Sequence, residues 1–105
     1  MIPEVEVRAV VDEVLLDVRE AEEFSWGRAP NAVHIPLYEL PARLHELPEH
    51  RPLSVICKVG ARSAQAAAYL LQQGRDVVNL DGGMLDWEAA GREMVSETGQ
   101  PPLVV

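Results

Sequence analysis

Apolar segments alternate with helical patterns along most of the chain. Five short apolar segments predict strands, and they lie at residues 5–7, 14–18, 32–35, 53–56 and 77–78. The segment at 14–18 is apolar almost throughout, which is typical of a parallel strand covered on both faces. Helical spacing predicts helices beginning near Glu20, Leu37, Ala64 and Asp81. This order of elements predicts an α/β fold: a single domain with a mainly parallel five-stranded sheet and helices on both faces.

Chain length and charge narrow the possible functions. The 105 residues are enough for one domain that buries about two-thirds of its unfolded surface. We assign residues 1–95 to this domain and residues 96–105 to a polar C-terminal extension, whose last three residues either dock or stay free. Seventeen acidic against nine basic side chains give a formal net charge of −8. This charge argues against nucleic acid or an anionic membrane as a partner.

The sequence carries no signal for export, membrane insertion or metal binding. It has no basic region followed by a long apolar run and no stretch of eighteen apolar residues, so we expect a soluble, cytoplasmic protein. The single cysteine, Cys57, excludes an intramolecular disulfide and a Cys-rich zinc site. His34, His45 and His50 are not spaced as a ligand cluster with it, and His34 is expected to be a hydrogen-bonded structural residue. We expect neither a metal nor another cofactor.

Cys57 lies where the fourth predicted strand gives way to a helix. A tight loop at this point directs backbone N–H groups and the positive end of the helix dipole into one space, which favours an anion. The loop residues that we expect to bind substrate are Lys58, Val59, Gly60, Ala61, Arg62 and Ser63. Gly60 can adopt positive φ, and Ser63 can cap the helix or donate its hydroxyl to the loop.

Two readings of Cys57 compete. A lone cysteine after two apolar residues is often a small buried hydrophobe. However, the cationic Lys58 and Arg62 and a helix N-terminus lower a thiol pKa from about 8.5 into roughly the 3.5–7.5 range. A core cysteine does not need a glycine, two cations and a hydroxyl close by, so the sequence favours a reactive thiolate.

Four segments together resemble the rhodanese-like sulfurtransferases. They are Leu15–Arg19 with Glu23 and Phe24, Gly27 with Ala32–Leu37, the C-x-x-G-x-[RS] loop at Cys57, and Asn79–Gly83 with Trp87 and Gly91. The resemblance covers almost the whole chain and implies a rhodanese-like fold. It also implies a thiosulfate sulfurtransferase, in which Cys57 takes a sulfane sulfur from a donor such as thiosulfate. The resulting persulfide would be passed to a nucleophilic acceptor, either cyanide or a thiol.

Other functions remain to be weighed beside this one. Four residues separate Cys57 from Arg62, one fewer than in cysteine phosphatases, so the smaller loop disfavours phosphatase or arsenate reductase chemistry. An interaction or persulfide-relay module, with a protein as sulfur donor or acceptor, remains open, because the same cysteine would serve both roles.

Several residues outside the loop are expected to support it. Asp17 and Arg19 end the second strand, at the sheet edge where α/β proteins bind ligands, and we expect a structural ion pair there. Asp81 is expected to cap the last helix, while Gly82 and Gly83 allow that turn to approach closely. The resemblance implies that this turn lies near the cysteine loop.

Overall fold

A five-stranded parallel sheet forms the centre of the computed structural model, which describes residues 2–11 and 13–105. Its strands are β1 (Glu4–Glu6), β2 (Val14–Asp17), β3 (Val33–His34), β4 (Leu53–Ile56) and β5 (Val77–Asp81). They are ordered β1-β5-β4-β2-β3, and each neighbouring pair is parallel. The predicted α/β fold with a five-stranded parallel sheet is therefore confirmed.

In the described part of the chain, three α-helices connect strands and a fourth follows β5. They are α1 (Ala21–Trp26), α2 (Leu40–Arg43), α3 (Ala61–Gln72) and α4 (Gly83–Ala89). Short 3-10 turns flank α2, so the apolar stripe from Leu37 to Leu47 is not one continuous helix. Pro41 lies in the first turn of α2, where its missing N–H leaves no helical hydrogen bond unmade.

Alternate residues of the strands supply two cores, one on each face of the sheet. Leu16 and Val55 pack with Ala66 and Leu70 of α3 in one core. Leu15, Ile56 and Leu80 pack with Met84 and Trp87 of α4 in the other. Because neighbouring strand residues point to opposite faces, this division explains why β2 and β4 are apolar at every buried position except Asp17 and Ser54.

The structure corrects two boundaries near β1 and β5. The first strand ends at Glu6, and Val7 begins a 3-10 turn, Val7–Ala9. The fifth strand continues past Val78 to Asp81, because its second half pairs with β1 through Val5–Leu80 and Glu6–Asp81. The expectation that Asp81 caps the last helix is therefore wrong.

Gly82 takes the N-cap position of α4 instead, without a side-chain cap. Gly82 and Gly83 have φ values of +78° and +58°, which glycine adopts at no steric cost. Asn31 is likewise left-handed at +63°, as asparagine tolerates.

The C-terminal segment packs on the domain. Arg28 and Val95 form an antiparallel bridge, and the N–H of Leu103 donates to the carbonyl of Trp26 at 3.0 Å. Val104 is buried in the same core as Trp87. The last three residues therefore dock.

None of the helices in the described residues has the length and apolar character that a membrane span needs, and these residues contain no group of side chains that could hold a metal ion.

Candidate active site

Cys57 follows β4 directly, at the sheet edge where the parallel strands end. The loop from Cys57 to Gly60 leads into α3, which begins at Ala61. Gly60 is left-handed, with φ at +113°, and it turns the backbone back over the sulfur. Of the expected loop residues, Val59, Gly60 and Ser63 hydrogen-bond to this thiol, and Val59 is exposed at the tip.

Neutral hydrogen-bond donors surround the Cys57 sulfur. The N–H of Gly60 lies 3.1 Å from Sγ, and the Ser63 hydroxyl lies 3.3 Å from it. Cys57 is 1% exposed, and this burial raises the pKa of its thiol. Hydrogen bonds from the Ser63 hydroxyl and from the N–H groups of Ser63, Gly60 and Val59 outweigh burial, so the pKa is lowered overall.

The two cations of the loop differ in their surroundings. Arg62 forms a bidentate ion pair with Glu23 of α1, with distances of 2.7 Å from Nη1 to Oε1 and 2.9 Å from Nη2 to Oε2. The pair raises the pKa of Arg62 and lowers that of Glu23. Lys58 makes no ion pair with any described residue and is half-buried. The lowered thiol pKa arises mainly from hydrogen bonds, to which Arg62 adds an electrostatic interaction with Cys57.

The N-terminus of α4 holds the other side of the loop. The N–H of Met84 donates to the carbonyl of Cys57 at 2.8 Å, and the N–H of Leu85 donates to that of Lys58 at 3.1 Å. A Cβ on Gly83 would lie 2.4 Å from the Cys57 carbonyl oxygen, so only glycine fits there. Gly82 precedes it at the turn, while Asp81 is exposed at the end of β5.

Asn79, a residue of β5, holds the cysteine loop through hydrogen bonds. It is not among the site residues expected from the sequence. Its Nδ2 donates to the Gly60 carbonyl at 3.1 Å and to both carboxylate oxygens of Glu4, at 3.0 and 3.1 Å. The side chain is 2% exposed, and its Oδ1 is buried without a partner among the described residues. A polar residue between Val78 and Leu80 in a buried strand was the available sequence signal, because buried polar groups normally serve a specific partner.

Asp17 and Arg19 form a fully buried ion pair beside the loop. Arg19 Nη2 lies 2.8 Å from Asp17 Oδ2, and neither side chain is exposed. The same nitrogen donates to the Gly27 carbonyl at 2.8 Å, which ties the end of β2 to the segment after α1. His34 Nε2 donates to the Arg19 carbonyl at 2.8 Å, while its ring stacks on Phe24. The hydrogen bonds of these residues are to structural partners and not to Cys57.

Comparisons with known proteins agree with this arrangement. The rhodanese-like domain family model matches residues 5–90. A sulfurtransferase of Allochromatium vinosum is 40% identical over 89 residues, covering 84% of this chain and 83% of that protein. The thiosulfate sulfurtransferase GlpE of Pseudomonas savastanoi pv. phaseolicola is 39% identical over 77 residues, covering 72% and 73%.

A solved structure shares the fold. The rhodanese-related protein from Thermoplasma volcanium superposes with a TM-score of 0.76 at 36% identity, covering 79% of this chain and 83% of that chain. The fold, the sequence similarity and the family model all indicate the same family. The chain therefore belongs to the rhodanese-like domain family and is a sulfurtransferase of the rhodanese type.

Proposed function

We propose that Cys57 is the catalytic residue and carries sulfane sulfur as a persulfide, with thiosulfate as a donor and cyanide or a thiol as the acceptor. The observation that carries this assignment is the pair of donors directed at Sγ, from Gly60 and Ser63, with the accompanying fall in the thiol pKa. A thiolate is the reactive form of cysteine, and these donors favour it. The similarity to a thiosulfate sulfurtransferase supports the choice of donor.

The transfer takes place in two balanced steps. The Cys57 thiolate attacks the outer sulfur of thiosulfate, the S–S bond of the donor breaks, and sulfite leaves with the bonding electron pair. The enzyme then carries a negatively charged persulfide, whose outer sulfur lies about 2 Å beyond Sγ. Cyanide attacks that outer sulfur, thiocyanate leaves, and the thiolate is restored. The donors of the loop stabilise charge in both enzyme forms, which is electrostatic stabilisation by preorganised dipoles.

Lys58 is assigned to donor binding. Its charge is not paired within the described residues, and it follows Cys57 directly. Replacement of Lys58 by Ala should therefore raise KM for thiosulfate more than it lowers kcat, because the lysine attracts the donor without taking part in bond formation. Steady-state thiocyanate formation measures both constants, and equal losses would contradict the assignment.

The mass of the intact protein after incubation with excess thiosulfate tests the mechanism. Wild-type protein should gain one sulfur, about 32 Da, whereas Cys57→Ser should gain none. Added cyanide should remove the extra mass. If neither thiosulfate nor another small sulfane donor loads the wild type, the assignment fails, and a persulfide relay between proteins becomes the better explanation.

A further inference from the structure

Glu23 belongs to α1 and pairs with Arg62, one of the two cations of the cysteine loop. Both of its carboxylate oxygens accept from Arg62, and the pair is only partly exposed, at 34% for Arg62 and 18% for Glu23. Glu23 also accepts the N–H of Glu20 at 3.0 Å, as part of the capping box of α1. Because two independent contacts hold the carboxylate, it is a fixed negative charge beside the loop.

This pairing reduces the net positive charge with which the loop attracts an anion. Arg62 is balanced by Glu23, so Lys58 supplies the uncompensated positive charge of the loop within the described residues. Glu20 adds a further negative charge that acts on Arg62, and the chain as a whole carries −8. A doubly charged donor therefore meets weaker attraction here than the two loop cations alone would provide.

We propose that Glu23 is a specificity-determining residue that acts through Arg62: by neutralising this arginine it weakens the recognition of doubly charged sulfur donors more than that of singly charged ones. The inference rests on the proposed sulfur transfer at Cys57 and adds the class of donor that the site prefers. That class is a sulfane sulfur on a carrier of low negative charge, such as an organic thiosulfonate. Thiosulfate remains a substrate with a higher KM.

The charge of the donor gives this proposal a quantitative signature. Coulomb energy is proportional to the charge of the bound anion, so removing one negative charge from the site acts twice as strongly on a dianion. In logarithmic terms, the gain in affinity for thiosulfate should be double the gain for a thiosulfonate. A change that only loosened the loop would affect both donors alike.

Glu23→Gln and Glu22→Gln form a matched pair of variants. Glutamine can fill the third position of a capping box, so Glu23→Gln keeps α1 capped and retains an oxygen for Arg62. Glu22 is exposed on the same helix, and its side chain makes no ion pair with the described residues. Both variants remove one negative charge from α1, but only the first removes it from Arg62.

The experiment measures persulfide loading at varied concentrations of thiosulfate and of an aromatic thiosulfonate. The second donor gives up its outer sulfur and leaves as a sulfinate. In Glu23→Gln, the half-saturating concentration should fall about threefold for the thiosulfonate and about tenfold for thiosulfate, with little change in the rate at saturation. Glu22→Gln should change neither donor by more than about twofold. Equal effects of the two variants, or equal gains for both donors, would overturn the proposal.

Inert anions test the role of Glu23 independently of the proposed sulfur transfer. Sulfate and methanesulfonate carry two charges and one, and their protection of Cys57 against alkylation reports anion binding without any sulfur transfer. Glu23→Gln should strengthen protection by sulfate more than protection by methanesulfonate, even if no donor loads the wild type. Unchanged protection by sulfate would exclude the role of Glu23, whereas failure of wild-type loading alone would exclude only the proposed chemistry.

Discussion

Replacement of Gly83 by Ala tests whether α4 holds the cysteine loop in place. The new Cβ would lie 2.4 Å from the Cys57 carbonyl oxygen and 2.6 Å from that of Lys58. Relief of this overlap requires a separation of roughly 1 Å, because ordinary contacts lie near 3.5 Å. The same movement stretches the hydrogen bonds from Met84 and Leu85 to these two carbonyls.

The expected loss of stability can be divided with a matched glycine. Gly74 has φ at +80° with no atom within 4 Å of its would-be Cβ, so Gly74→Ala carries only the left-handed strain, about 1 kcal/mol. Gly83→Ala, at φ +58°, carries this strain and also loses two hydrogen bonds of about 1 kcal/mol each. Gly83→Ala should therefore lower the free energy of unfolding by about 3 kcal/mol, against about 1 kcal/mol for Gly74→Ala.

Urea unfolding measures the stabilities of the variants, and an ultraviolet titration of the thiolate measures the pKa of Cys57. With Cys57→Ser as the blank, the thiol pKa of Gly83→Ala should rise towards its ordinary value, because the shifted loop no longer aims its donors at Sγ. Gly74→Ala should leave the pKa of Cys57 unchanged. If the stabilities of the two alanine variants differ by less than about 0.5 kcal/mol, and their titrations coincide, α4 does not hold the loop.

Three further changes examine the groups around the loop. Ser63→Ala removes a hydroxyl that lowers the Cys57 pKa, so ultraviolet titration should show a higher pKa, and an unchanged pKa would exclude this hydroxyl as a donor. Arg19→Met leaves the Asp17 carboxylate buried and unpaired, so urea unfolding should show a loss of about 3–5 kcal/mol, and a loss below about 1 kcal/mol would show that the carboxylate finds other partners. Asn79→Asp places a new carboxylate against that of Glu4, and this repulsion raises the pKa of the new carboxyl group in the folded state. The free energy of unfolding should therefore fall as pH rises above about 4, and a loss of stability that does not depend on pH would contradict this.

The strands could be predicted from sequence where burial makes nearly every residue apolar. The predicted segment 53–56 is β4 itself, and 14–18 extends β2 by one residue. In β5 the apolar pattern ends at Val78, because Asn79 and Asp81 are polar. Those two residues stay in the strand because β1 pairs with them across 75 residues of chain, from Glu4 to Asn79. Only the tertiary structure shows that pairing.

The cysteine loop could be located from sequence, but its electrostatics could not. The position of Cys57 after β4 and the left-handed Gly60 follow from local pattern. The partner of Arg62 lies 39 residues away, and no local rule joins it to Glu23. The sequence therefore indicates two free cations, whereas among the described residues Arg62 is paired with Glu23 and Lys58 forms no ion pair.

In the proposed mechanism, different groups of this site stabilise the Cys57 sulfur and recognise the sulfur donor. The thiolate relies on hydrogen bonds inside a loop that excludes water, where dissolved salt screens little. Such neutral dipoles need no counter-charge, so an anionic sulfur can be held in a chain of net charge −8. Charged groups at the loop, namely Lys58, Arg62 and Glu23, then act on whatever anion approaches. In the proposed scheme, Glu23 acts through the partly exposed Arg62, so it changes which sulfur donor is preferred but leaves in place the hydrogen bonds from Gly60 and Ser63 to Cys57.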